Sequence, residues 1–237
     1  MKRILILLLS INLSLIALAQ GNSIPKGSKA NAQAEALPEI LPEGVKYRYP
    51  MFNGLSVSVN AFDPVMELFK WEHANYEAVA TVDLYHRFFP QVVVGMGHCN
   101  QENDYGVKFR SKVAPFVKVG MLYNFKYNEL KPEDFYYVVF RYGMSKSSAD
   151  IKNLTFTDGY WKDYGPADID NQEYKCHWIE IGGGIKVKVT GPISLGWELT
   201  LRPLIAKGEA KGGNPYFVPG LGTGKFNFGF NIYYDIF

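Results

Sequence analysis

The sequence is poor in what many enzymes and helical membrane proteins are built from. It has 2 cysteines and 4 histidines among 237 residues, and their spacing is not that of a known metal motif. The Gly-x-Ser-x-Gly signature of a nucleophile elbow is missing, as is an Asp-x-Asp-x-Asp-Gly calcium loop. After residue 19 no apolar run approaches the ~18–20 residues of a spanning helix. A surplus of one charge is missing too. Once Lys2 and Arg3 are set aside, the basic residues number 23, equal to the acids. No basic patch implies nucleic acid, and no acidic tail implies a cation sponge.

What is there is apolar at the start and alternating afterwards. Met1-Lys2-Arg3 precedes an apolar stretch, Ile4 to Ala19, interrupted only by Ser10, Asn12 and Ser14 and ending in Ala17-Leu18-Ala19. A basic start, an apolar centre and a small-x-small end predict a cleaved signal peptide over 1–19. Residues 20–49, rich in Gly, Ser, Pro and Ala, predict a flexible periplasmic segment. Residues 50–237 are long enough for one domain of barrel or sandwich type.

Phe and Tyr supply 16 residues each and Gly 23. They are arranged with period two, the strand signal. Eight segments show it: 54–61, 76–86, 91–99, 116–127, 136–144, 177–187, 195–201 and 226–237. In the fourth, Val117, Val119, Met121, Tyr123, Phe125 and Tyr127 oppose Lys118, Gly120, Asn124 and Lys126. The third is weaker, because Val93 breaks its pattern. Connections alternate strictly between short ("RFFP", "NELKPED", "TGP") and long (62–75, "NQENDYGVKFRSK", 145–175 and "KGEAKGGNPYFVPGLGTGK"). A sandwich has no reason to sort its loops by end, whereas a membrane barrel has short periplasmic turns and long outer loops. The expected fold is all-β, an eight-stranded antiparallel up-and-down transmembrane β-barrel in the cell outer membrane, with the last strand closing against 54–61.

In such a barrel the apolar set faces lipid and the other set faces in. The inward set holds Glu77, Asp83, Lys118, Lys126, Arg141, Glu180, Lys186, Glu198 and Arg202. Eight strands enclose only side chains, and buried charges must pair. The expectation is a filled interior with an ion-pair network. Tyr76, Tyr85, Tyr123, Tyr127, Tyr136, Tyr142, Trp197, Tyr233 and Tyr234 are candidates for interfacial girdles. Gly182–Gly184 sits in a strand with no helix after it, so it predicts a thinned wall beside a bulky neighbour, not a phosphate cradle.

The stretches FRYGMS (140–145), HWIEIGGGIKVKV (177–189), GWELTLRPLI (196–205), YFVPGLG (216–222) and FGFNIYYDI (228–236) resemble an uncharacterised family of Bacteroidota outer-membrane barrels. The resemblance implies the barrel and its location and brings no activity. Small barrels of the OmpA membrane-domain type share the architecture only.

Candidate chemistry is sparse. Cys99 and Cys176, expected at the outer rim two strands apart, form a disulfide only if loops bend across the mouth; otherwise they are thiols at a contact. His98 and His177 adjoin them, but strand alternation sends neighbours to opposite faces, so no metal site is expected. His73 and Ser147 or Ser148 are not spaced for catalysis, and no cofactor is implied. Tyr160, Trp161 and Tyr164, in a loop with Asp150, Asp158, Asp163, Asp168 and Asp170, are the candidate binding surface. The expected partners are outer-membrane lipid, an extracellular ligand or protein, and the barrel-assembly machinery, which would read the C-terminal strand and its last aromatic, Phe237. The chain is expected to be monomeric. Phe237 falls on the interior parity, so the strand frays at Asp235 or carries a bulge. The function read from this is a structural or binding outer-membrane barrel, with an outer-leaflet lipid-modifying enzyme or a narrow pore as alternatives.

Overall fold

The structure is a computed structural model that describes residues 48–69, 71–129, 134–154, 167–207 and 215–236. The chain divides into two units, Met1–Val45 and Lys46–Phe237. The first, with the expected signal peptide and most of the segment after it, lies outside the described residues. All elements below belong to the second.

Among the described residues nine strands and one short helix follow in order: β1 (Phe52–Asn60), α1 (Phe62–Leu68), β2 (His73–Leu84), β3 (Phe88–Glu102), β4 (Lys108–Asn124), β5 (Phe135–Leu154), β6 (Ala167–Thr190), β7 (Ile193–Leu201), β8 (Leu204–Lys207) and β9 (Phe226–Asp235). Every pairing is antiparallel. The sheet runs β5-β4-β3-β2-β1-β9-β7-β6, and β6 pairs back with β5, which closes a ring of eight strands. The closure runs from Ser56 opposite Asp235 to Asn60 opposite Asn231. The extra strand β8 resumes the line of β7 beyond Arg202-Pro203 and pairs with Cys176–Trp178 of β6. Pro203 has no N–H to donate, so the ladder breaks there. No helix of the described residues is long and apolar enough to cross a membrane.

Period-two alternation becomes a two-faced wall. In β5, Phe135, Tyr137, Val139, Arg141, Gly143, Ser145, Ser147 and Ala149 point inward and are buried, while Tyr136, Val138, Phe140, Tyr142 and Met144 stand outside. The strands are longer than the apolar pattern suggests. β5 and β6 take in much of the expected 145–175 loop, and the β3–β4 connection shrinks to residues 103–107. Beyond the apolar outer wall the apolar alternation stops, yet the hydrogen-bonded ladder continues, so the sequence hides these extensions.

One end of the ring carries the tight connections and is the turn end. At Gly191-Pro192 a positive φ of 50° at Gly191 fits the two-residue hairpin. The β2–β3 turn places Tyr85 and His86 at φ of 55° and 51°. Both are non-glycine residues in the left-handed region, a costly choice that the surroundings must hold in place. The opposite, loop end carries α1, the β3–β4 tip, the raised β5–β6 hairpin and the segment after β8.

Candidate functional site

Lys118 on β4 is completely buried and lies 2.8 Å from Glu77 Oε1 and 2.9 Å from Glu180 Oε1. Glu180 also takes Arg141 Nη1 at 3.2 Å and Arg202 Nε at 3.0 Å, and accepts from Trp178 Nε1 at 3.1 Å. Arg141 meets Glu198 through both terminal nitrogens, at 2.5 and 2.6 Å. With its amide oxygen turned to Arg141, Gln91 lies 2.7 Å from Nε. Three acids and three bases thus form one connected cluster across β2, β4, β5, β6 and β7, with Arg202 joining just past β7. The charges balance, the condition under which ionised groups survive burial. The space left beside Glu77, Gln91, Arg141, Glu198 and Arg202 is about 10 Å³, room for roughly one water.

Six of the nine expected interior charges therefore come together, and three do not. Asp83 sits at the turn end, 2.8 Å from His86 Nδ1 and 2.8 Å from Asn53 Nδ2. Lys186 pairs there with Asp235 at 2.7 Å, and Ser194 donates to the same carboxylate at 2.9 Å. Both pairs line an open pocket of about 360 Å³. Lys126 is outside the interior: β4 ends at Asn124, and Lys126 in the following turn reaches Glu129 at 3.4 Å.

The interior is layered. Below the charges, Phe89, Leu122, Phe135, Tyr137 and Val139 form an apolar layer at the turn end. Beside and above them a second layer gathers Val79, Val93, Phe109, Phe116, Tyr174 and Trp178. Val93 breaks the sequence alternation because it belongs to this layer. Phe217 and Val218, from the segment after β8, fold down into it and are buried. Three contacts pin that plug: Gly220 N–H donates to Asn75 Oδ1 at 2.8 Å, Asn75 Nδ2 donates to Asp63 of α1 at 3.0 Å, and Arg202 Nη1 reaches the carbonyls of Gly220 and Leu221.

Glycines make room for the large inward side chains. Gly143 lies opposite Trp178, and Gly184 opposite Tyr137. At each, a Cβ would collide with the facing ring. The thinned wall expected at Gly182–Gly184 is this packing, and its bulky neighbour is Tyr137.

Cys99 and Cys176 are not joined in a disulfide. Both are buried inside the upper apolar layer, on strands and not at a loop rim. His98 and His177 point the other way: His98 meets Glu67 and His177 Nδ1 lies 2.8 Å from Tyr142 Oη. Among the described residues, no group of acids, Cys and His is placed to hold a metal. His73 and Ser147 sit on β2 and β5, three strands apart round the ring. Of the girdle candidates, Tyr76, Tyr136, Tyr142 and Tyr234 are exposed on the outer wall and Tyr85 is exposed in the β2–β3 turn, but Tyr233 is buried inside. Its odd position in β9 is the inward parity.

Tyr160, Trp161, Tyr164 and Phe237 lie outside the described residues. Asp158 and Asp163 lie outside them too, and the described acids of this stretch are engaged within their own hairpin. Asp168 accepts from Asn153 N–H at 2.9 Å and from Lys152 at 3.1 Å, Asp170 meets Lys152 at 2.6 Å, and Asp150 accepts from Asn171 N–H at 2.7 Å. The Asn153 N–H, then Lys152, hold the Asp168 carboxyl below the usual carboxylate range, and the two acids raise Lys152.

A family profile matches residues 1–237, the whole chain. The chain belongs to DUF6048, a domain of unknown function. Membership accords with an uncharacterised family and brings no activity. No curated protein matches the chain.

Sequence reasoning missed the plug and the turn-end pocket. The plug left a faint signal: Phe217-Val218-Pro219 is an apolar triplet inside a Gly-rich loop, which is unusual for a segment that stays in water.

Proposed function

We propose that the chain is an outer-membrane β-barrel of Bacteroidota type, exported by a cleaved signal peptide over 1–19, with a sealed interior and a structural or binding role at its outer rim. One observation carries this reading. Each ring strand turns an apolar side chain outward into solvent: Val59, Tyr76, Val94, Val119, Phe140, Ile181, Leu199 and Ile232 are each at least 40 % exposed. Lys118 and Glu180 meanwhile have no exposure at all. A water-soluble domain is built the other way round. Hydrocarbon reverses the logic, and a closed ring leaves no unpaired edge inside it. In this reading the turn end is periplasmic and the loop end extracellular.

The pore alternative is disfavoured by the interior, where the charged cluster leaves about 10 Å³ beneath a plugged mouth. The binding role rests on the rim, where α1, the β5–β6 hairpin and the plug segment gather. Membrane fractionation with gel mobility tests the proposal. The protein is expected in the outer-membrane fraction and to migrate faster unheated than boiled. A soluble protein with no shift would overturn it.

A further inference from the structure

Helix α1 lies across the rim of the ring. Asp63 and Met66 point into it and are buried, whereas Val65, Leu68 and Phe69 stand outside, Leu68 at 82 % exposure. Glu67 clamps the helix to the outer wall. Tyr76 Oη donates to one carboxylate oxygen and His98 Nε2 lies 3.2 Å from the other, and the Tyr76 and His98 rings stack at 6.3 Å. Under this lintel a groove of about 1470 Å³ runs along the outside of β1 to β4. Two departures from a regular wall create it. One is the overhang of α1. The other is the register shift in β4 between Ser111 and Phe116, beside which Val113 stands 66 % exposed. Small residues, Ala78 and Gly95, lie along the groove.

We propose that this groove holds an acyl chain of an outer-leaflet lipid. The inference rests on the membrane reading above, because that reading puts hydrocarbon at the groove's open side. Its lining is almost wholly apolar and passes into the outer apolar face through Val59, Ala78 and Val94. The polar groups Glu67, His98 and Tyr76 sit together at its loop end and bind one another. Apolar length with polarity at one end is the pattern of an amphiphile. A peptide strand would bring N–H and C=O groups that such a lining leaves unmet. A second copy would need a flat face, and α1 stands proud of the wall. The groove also exceeds the ~300–1,000 Å³ of an ordinary small-molecule site.

The test uses the full mature chain reconstituted in phosphatidylethanolamine–phosphatidylglycerol vesicles, extracted in mild detergent and weighed by native mass spectrometry. Wild type is expected to keep one phospholipid per chain. Ala78→Phe and Val94→Phe fill the groove and Leu68→Asp makes its lip polar; each should cut the retained fraction by about tenfold. Leu199→Phe, on the opposite wall, should not. Heat-modifiable mobility reports whether each variant is folded. Wild type without bound lipid, equal retention in all folded variants, or a dimer that the groove variants abolish would each overturn the proposal. Failure of the membrane reading looks different: the wild-type chain would neither float with the vesicles nor show the mobility shift.

Discussion

Arg141 and Glu198 meet inside the ring through two parallel hydrogen bonds, Nη1 to Oε1 at 2.5 Å and Nη2 to Oε2 at 2.6 Å. The pair spans from β5 to β7, which are not adjacent in the sheet, so it ties next-but-one strands together through the interior. Glu180 on β6, the strand between them, shares Arg141. A bidentate guanidinium–carboxylate contact is geometrically selective as well as strong.

Removing one partner strands the other. Arg141→Leu is expected to cost about 3–5 kcal/mol, because Glu198 is left buried and unpaired. Glu198→Gln keeps the shape and should cost less. The double change Arg141→Leu with Glu198→Leu should cost less than the two leucine changes summed, since no lone charge remains. Urea unfolding of the reconstituted protein, followed by gel mobility, measures all four variants, the single Glu198→Leu included. Additive losses would show that the pair is not coupled.

The Gly143–Trp178 contact makes a second prediction. A Cβ at 143 would collide with the indole ring, and Trp178 is fully buried, with its Nε1–H held by Glu180. Gly143→Ala should therefore destabilise by about 1–3 kcal/mol through overpacking. In a Trp178→Phe background the ring is smaller and the same change should be milder, a coupling of ~0.5–3 kcal/mol. The same unfolding assay in a double-mutant cycle reads it; equal costs in both backgrounds would show that the indole is not what Gly143 accommodates.

These contacts also show what the sequence could carry. Alternation located all eight ring strands and the facing of Lys118, Arg141 and Glu180, because one wall must meet one environment along its whole length. It also placed Gly143 on Trp178's face. It did not give strand length. In the β5–β6 hairpin Lys146, Ser148 and Asp150 alternate with Ser145, Ser147 and Ala149, and no apolar contrast marks the ladder. The layering was hidden as well. Leu122 and Val139 sit on the inward parity, but period two reports which face a residue takes, not its height along the ring. The plug left only its apolar triplet for a related reason: Phe217 joins the cluster of Phe109, Trp178 and Cys176 only after the chain closes, and no local spacing encodes that. Cys99 and Cys176 read as rim residues in the sequence because apolar alternation marks β3 and β6 shorter than they are.

The raised hairpin carries a pH-dependent contact. Asp168 is bound to Asn153 N–H and Lys152, so its folded pKa lies below its ordinary value of 3.8. A depressed carboxylate contributes stability above its unfolded pKa and loses it as pH falls through the folded one. The contact should therefore hold at pH 5 and above and be released progressively below about pH 4. Limited proteolysis of the reconstituted protein with an acid-active protease reads this as faster hairpin cleavage at low pH. Asp168→Asn should be cleaved at the fast rate throughout. A wild type with flat protection down to pH 2 would show that this carboxylate does not hold the hairpin.

The layered interior makes a prediction about conductance. A path through the ring would have to pass the plug at the loop end, then the charged cluster, then the apolar layer around Phe89 and Phe135. Each obstructs independently. The plug depends on Arg202, which holds the Gly220 and Leu221 carbonyls, and on Asn75. Arg202→Ala should loosen it, yet Lys118, Glu180, Arg141 and Glu198 remain locked beneath. Wild type and Arg202→Ala are therefore both expected to be silent in planar bilayers. Conductance should appear only when the plug release is combined with truncation at two lower levels, as in Arg202→Ala with Arg141→Ala, Glu198→Ala and Phe89→Ala, provided that variant still shows the heat-modifiable shift. Steady single-channel currents from the wild type would mean that ions pass where the static packing leaves room for one water, and that the interior opens by moving Lys118 or Arg141 away from the acids that hold them.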